Sequence, residues 1–158
     1  TMFGEGFDCS QIVLSNVCDK LGITKEEALK IAACFGGGMW HGETCGCVVG
    51  ALIALGIKNA TVKPNDKEQK DKLLALKAKF EEEFCNKNGS CICKEILGYD
   101  LSNPEEMAKI QEENLLATKC PKVVLSACEI LEKMLAPKLL ISLKTSGIIL
   151  ISKILILP

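Results

Sequence analysis

Residues 36–56 read G-G-G-M-W-H-G-E-T-C-G-C-V-V-G-A-L-I-A-L-G, a glycine-rich turn that runs into a nearly all-apolar segment. Apolar residues cover every side from Val48 to Leu55, which predicts a helix over about 44–56 at the centre of the protein. Thr44 is placed to cap it, and Glu43 adds negative charge at the positive end of the helix dipole. Gly46, Gly50 and Ala54 recur every four residues. They form a stripe of small side chains along which another backbone can approach closely.

Working outward, the flanking segments also read as helices. Asp8 with Gln11 resembles a capping box, and Ile12, Val13, Leu14, Val17, Cys18 and Leu21 follow with helical period up to the left-handed stop at Gly22. Thr24 with Glu27 opens a second helix, expected to run to Gly36-Gly37-Gly38 with Cys34 in its last turn. Asp66 to about Phe84 is a fourth, with Leu73, Leu76, Phe80 and Phe84 on one stripe and a solvated Lys/Glu face. A short turn of helix is expected through C-I-C-K-E-I-L, capped by Ser90 and stopped by Gly98. Asn103-Pro104-Glu105-Glu106 starts another that reaches about Thr118, and Cys120-Pro121 starts the last, with Val124, Ala127, Cys128, Leu131 and Leu135 inward. No strand alternation stands out. The expected fold is all-α: a compact bundle of five or six helices around the central one.

Composition bounds the function. The chain has 158 residues, 48% hydrophobic but only 4% aromatic, so the core must be aliphatic. A balance of 19 basic and 20 acidic residues, without a basic patch interleaved with aromatics, argues against nucleic acid as a partner. The domain is expected over residues 1–136. The tail, residues 137–158, is rich in Ile, Leu, Ser and Lys. Lys144, Gly147 and Lys153 argue against a clean membrane span, and packing on the domain or on a second subunit, as in a homodimer, is the expectation. No export signal is legible, so a cytoplasmic location is expected.

Ten cysteines in a chain of this kind point to metal ligands, redox thiols or small core residues rather than to a disulfide scaffold. Cys18, Cys34, Cys85 and Cys128 fall within or at the ends of helices near apolar stripes, and Cys47 inside the central helix; all five read as packing residues. Cys9, Cys45, Cys93 and Cys120 differ. Each falls at or within the first turn of a predicted helix, where unpaired N–H groups and the helix dipole stabilise a thiolate. The thiolate is the nucleophile and the metal ligand. Four such ends meeting at one point would suit an iron–sulfur cluster, a tetrahedral zinc or redox disulfides. C-x-C occurs at Cys45/Cys47 and Cys91/Cys93, and C-x-x-C is absent. On a helix, residues two apart point to different sides, so both members of a C-x-C share a metal only at an irregular turn. His41, the single histidine, reads as an exposed turn residue, and Trp40 as an anchor. The glycines lack the G-x-x-x-x-G-K-[ST] phosphate pattern, so no nucleotide is expected. Without C-x-x-C-H, no c-type haem is expected either.

The series F-D-C-S-Q-I-V-L, F-G-G-G-M, T-C-G-C-V-V-G-A-L, C-K-E-I-L-G-Y-D-L and K-C-P-K-V-V resembles the redox-active proteins named for a C…CGAxxG…C…C pattern, the C_GCAxxG_C_C family. The resemblance covers roughly Phe7 to Leu135 and sets the family's four cysteines on Cys9, Cys45, Cys93 and Cys120. Cys47 departs from the pattern, which usually has alanine there; it is either an extra ligand or a small replacement. The resemblance implies a redox or metal-linked role and a redox protein partner. The leading expectation is a redox or electron-transfer module in which those four cysteines hold an iron–sulfur cluster or cycle between thiol and disulfide. A structural zinc module at the same four residues, and a partner-binding helical protein with core cysteines, are the alternatives.

Overall fold

The computed structural model describes residues 2–136, and the predicted packing of the tail lies outside them. Nine α-helices occur among the described residues: α1 Cys9–Asn16, α2 Cys18–Leu21, α3 Lys25–Ile31, α4 Gly46–Asn59, α5 Lys67–Asn88, α6 Cys93–Leu97, α7 Pro104–Glu112, α8 Leu115–Thr118 and α9 Cys120–Leu135. The fold is all-α, as the helical periodicity requires, and α4 packs against α1, α2, α5 and α9 at its centre. None of the described helices is long and apolar enough to cross a membrane.

The caps read from the sequence account for several boundaries. The Asp8 N–H donates to Gln11 Oε1 at 2.9 Å. Thr24 and Glu27 bond reciprocally, Glu27 N–H to Thr24 Oγ1 at 3.1 Å and Thr24 N–H to Glu27 Oε2 at 2.7 Å. Asn103 Oδ1 accepts from Glu105 N–H at 2.9 Å, with Pro104 opening α7. Gly22, Gly89 and Gly98 close their helices in the left-handed conformation.

Other boundaries move, each for a local reason. The first predicted helix breaks at Val17 (φ −119°, ψ 9°) into α1 and α2. The second stops at Ile31, and Cys34 then takes φ 71° on the surface. That corrects the reading of Cys34 as a packing residue. The fourth continues past Phe84 to Asn88. The predicted helix to Thr118 divides into α7 and α8 at Asn114, which is left-handed at φ 51°. The cap of α4 is Cys45 rather than Thr44, because Thr44 is engaged in an isolated antiparallel bridge with Ile92. Likewise Ile92, not Ser90, precedes α6; the Ser90 hydroxyl accepts from the Ile92 N–H at 2.9 Å.

The small-residue stripe of α4 serves α1. A Cβ added at Gly50 would lie 2.6 Å from the carbonyl oxygen of Ser10, and one at Gly46 would lie 2.5 Å from Cys9 Sγ and 2.7 Å from the Phe35 carbonyl. α1 therefore rests directly on the α4 backbone. Ser10, fully buried at this contact, donates its hydroxyl to the Ala32 carbonyl at 2.8 Å and fastens the segment after α3 to the same point. Val13, Leu14, Val48, Ala51, Ala54, Leu55, Phe80, Phe84, Ala127, Ile130 and Leu131 form the main core. A second, smaller core holds Cys93, Leu97, Leu101 and Ile110, with Leu116 and Cys120 against it.

Cys85 and Cys91 form a disulfide, with Cα atoms 5.5 Å apart, a normal span for such a bond. This corrects the reading of Cys85 as a plain core residue. Gly89 turns the chain back at the end of α5 and returns Cys91 alongside Cys85. Removing the crosslink with Cys85→Ser and Cys91→Ser together is expected to lower stability by about 2 kcal/mol, as for a short closed loop, measured by urea unfolding under non-reducing conditions. Equal stability of the variant and the parent would show that the crosslink does not constrain the unfolded chain.

Candidate functional site

Three of the cysteines singled out in the sequence are the first residues of their helices: Cys9 of α1, Cys93 of α6 and Cys120 of α9. The fourth, Cys45, is the residue that caps α4. Local sequence thus places each sulfur at a helix start. Two longer-range devices then bring three of these helix starts, those of Cys9, Cys45 and Cys93, together. The first is the glycine contact, which sets α1 against the first turn of α4. The second is the bridge at Thr44 and Ile92, where Cys45 N–H donates to the Cys91 carbonyl at 2.9 Å and Cys93 N–H to the Glu43 carbonyl at 2.6 Å. The short pairing holds the Cys91-Ile92-Cys93 segment extended beside Cys45. Of that C-x-C, Cys91 turns away into the disulfide and Cys93 turns inward.

All four line one cavity of about 620 Å³. Cys47, read from the sequence as a packing residue of the central helix or, by the resemblance, an extra ligand, lines it too. The cavity lies where the two cores meet: Cys9, Cys45, Cys47 and Val123 belong to the main core, and Cys93, Leu97, Leu101 and Cys120 to the second. Phe3, Phe7 and Trp40 complete much of the wall. Trp40 is 49% exposed, so it is no buried anchor. It sits in a single wide turn, Gly38–Gly42, in which Met39 (φ 55°) and Trp40 (φ 58°) are both left-handed. Two consecutive non-glycine residues in that region cost of order 1 kcal/mol each. His41 is exposed and does not line the cavity.

The sulfurs are electrostatically unequal. The neighbouring thiols of Cys45 and then Cys47, with the backbone N–H groups of Gly37 and Ser10, favour the charged form of Cys9. Together these outweigh burial and hold Cys9 well below the ordinary thiol range. For Cys45, donation from Cys47 favours its thiolate, but its own donation to Cys9, burial and the Cys9 charge prevail and push it up to about 12. Cys47 is raised by its bonds to Cys45 and Cys9 and by complete burial. Burial, then the charges of the neighbouring sulfurs, raise Cys93. Burial and the Cys9 charge push Cys120 up to about 11 despite Lys119 nearby. The arrangement favours the thiolate at Cys9 and the protonated thiol at the other four. Asp8, beside Cys9, is raised by burial and then by that thiolate.

A family model described as "Putative redox-active protein (C_GCAxxG_C_C)" matches residues 7–134. The chain belongs to that family. The match takes in α1 to α9 as far as Met134, and with them every cysteine of the cavity. No curated protein and no solved structure matches the chain. Membership of C_GCAxxG_C_C makes the cavity the place to look for redox chemistry, since its cysteine-bearing helix starts are the segments in which the resemblance lay.

Thiolates suit soft metals such as zinc and the iron of an iron–sulfur cluster, so the donor set of the cavity is compatible with a thiolate-held centre. Among the described residues, no three or more His, Cys, Asp or Glu side chains are already drawn together around one point. The sulfurs share a cavity wall without being gathered on a common centre.

Proposed function

We propose that this protein is a thiol redox module in which Cys9 and Cys45 cycle between dithiol and disulfide. The observation that supports this best is their placement: Cys9 at the start of α1 and Cys45 at the cap of α4 line one cavity, and a Cβ at Gly46, the residue after Cys45, would lie 2.5 Å from the Cys9 sulfur. The Cys9 thiolate attacks the electron acceptor. Cys45 then loses its proton and attacks the Cys9 sulfur. The disulfide forms, two electrons leave with the reduced acceptor, and the bond from Cys9 to the acceptor breaks. The order follows from charge. While Cys9 is a thiolate, its charge and its interaction with the Cys45 thiol join burial in keeping Cys45 protonated; once Cys9 is covalently engaged, those two restraints are gone and burial alone opposes ionisation of Cys45.

A second reading is supported by the number of thiols on the cavity wall. Cys9, Cys45, Cys93 and Cys120 would be the residues to hold an iron–sulfur cluster or, structurally, a zinc ion. A cluster would supply one-electron transfer at that place.

One experiment separates the two. Protein purified without oxygen is examined by visible absorption and metal analysis, then treated with 2-hydroxyethyl disulfide, and its disulfides are mapped by mass spectrometry. The dithiol reading expects colourless, metal-free protein that gains a Cys9–Cys45 bond with the loss of two thiols. Brown protein with stoichiometric iron, or colourless protein with stoichiometric zinc, transfers the four cysteines to the second reading. Thiols that stay reduced in metal-free protein would remove both.

A further inference from the structure

The remaining walls of the cavity bear on what it accepts. Apart from its sulfurs and Asp8, its side chains are apolar, with Phe3, Phe7, Trp40, Leu97, Leu101 and Leu116 prominent. Among the described residues, no lysine, arginine or histidine lines it. An anionic acceptor such as a carboxylate-bearing disulfide would find no counter-ion there and would lose its hydration. A neutral ligand loses little and gains the apolar walls. The volume of about 620 Å³ lies within the ordinary range for small-molecule sites, about 300–1,000 Å³. Trp40, half exposed on its left-handed turn, lines the cavity and supplies an aromatic ring on which a flat molecule can stack.

We infer that the cavity binds a neutral, planar, apolar two-electron acceptor of the quinone class, stacked on Trp40 and reduced by Cys9 and Cys45. This rests on the dithiol reading above and adds the acceptor. The step balances. The Cys9 sulfur adds to a ring carbon of the quinone, whose oxygen takes a proton. The Cys45 sulfur, its own proton released, attacks the Cys9 sulfur. The carbon–sulfur bond breaks, its electron pair returns to the ring, and a second proton completes the hydroquinone. Two thiols become one disulfide, and one quinone becomes one hydroquinone.

Duroquinone is the suitable probe, because its fully substituted ring has no open position for lasting addition of a thiol. Reduced protein is mixed anaerobically with increasing duroquinone, and hydroquinone formation is followed with 2-hydroxyethyl disulfide as the parallel oxidant. The expected result is a rate that saturates with duroquinone and a yield of one hydroquinone per protein. Trp40→Ala should raise the half-saturating concentration at least tenfold, and slow the duroquinone reaction far more than that of the small disulfide. Trp40→Phe should recover most of the loss. Two results overturn the inference: a rate that rises linearly with duroquinone, or a Trp40→Ala variant that slows both oxidants equally. If 2-hydroxyethyl disulfide closes the Cys9–Cys45 bond while duroquinone fails, the acceptor class falls and the dithiol reading stands. If neither oxidant closes it, both fall.

Discussion

Gly50→Ala is expected to cost this protein about 2 kcal/mol or more, although alanine is the better helix former. The intrinsic preference favours the variant by about 1 kcal/mol. Against it stands a new Cβ 2.6 Å from the Ser10 carbonyl oxygen and 3.2 Å from the Ser10 Cα. Both are backbone atoms, so no side-chain rotation relieves the overlap, and α1 must move off α4. Overpacking of this kind costs about 1–3 kcal/mol, occasionally more. Displacing α1 also strains the buried Ser10–Ala32 hydrogen bond. Gly56→Ala on the same helix is the internal control. Nothing lies within 4 Å of a Cβ there, so only the helix preference remains, and a gain of about 0.5–1 kcal/mol is expected. Thermal or urea unfolding of the two variants side by side checks the pair. Equal effects would refute the close approach of α1. Gly46→Ala adds a functional consequence, since its Cβ would press on Cys9 Sγ itself.

Replacing Cys45 should stop the redox cycle while leaving the fold in place. With Cys45→Ser the first attack still occurs at Cys9, because a hydroxyl can donate to the thiolate. The resolving sulfur is gone, however, and the protein should accumulate as a mixed disulfide at Cys9 when treated with 2-hydroxyethyl disulfide. Intact mass and peptide mapping read this directly. Turnover should fall at least a hundredfold, in the range lost when one member of a paired catalytic set is removed. Helix content should not change, since Cys45 caps α4 without a side-chain hydrogen bond to its backbone. Cys45→Ala goes further. It removes the largest stabiliser of the Cys9 thiolate, so the pH at which iodoacetamide reacts with Cys9 at half its maximal rate should move upward. The sign follows from the hydrogen bond: a donor to the charged form lowers a thiol pKa, and its loss raises it. Cys9 that closes a disulfide at the parent's rate in Cys45→Ser would assign resolution to Cys47, the other donor to Cys9.

Both predictions rest on contacts of different legibility. The stripe Gly46, Gly50 and Ala54 was visible as spacing, because helical period alone sets small residues on one line. Which element used it was not visible; the partner is α1, more than thirty residues earlier in the chain. The same division holds for the sulfurs. A helix start is a local event, governed by caps, prolines and glycines within a few residues, and so Cys9, Cys93 and Cys120 could be set on first turns from the sequence. Cys45 was separated from its neighbour Cys47 on the same ground, yet Cys47 also faces the cavity. The missing signal was the irregular entry to α4: the cap is one residue later than expected, since the Thr44–Ile92 bridge takes up the preceding position.

Local chemistry along this chain, then, determines the helices, several of their ends, an aliphatic core and the membership of C_GCAxxG_C_C. Tertiary structure alone decides that five sulfurs share one cavity at the junction of two cores, that Cys85 pairs with Cys91, and that Cys34 lies at the surface. The physical reason is range. Caps and periodicity act over three or four residues, whereas the cavity is closed by contacts between segments up to about a hundred residues apart, and the charge on one sulfur depends on which others those contacts bring within reach.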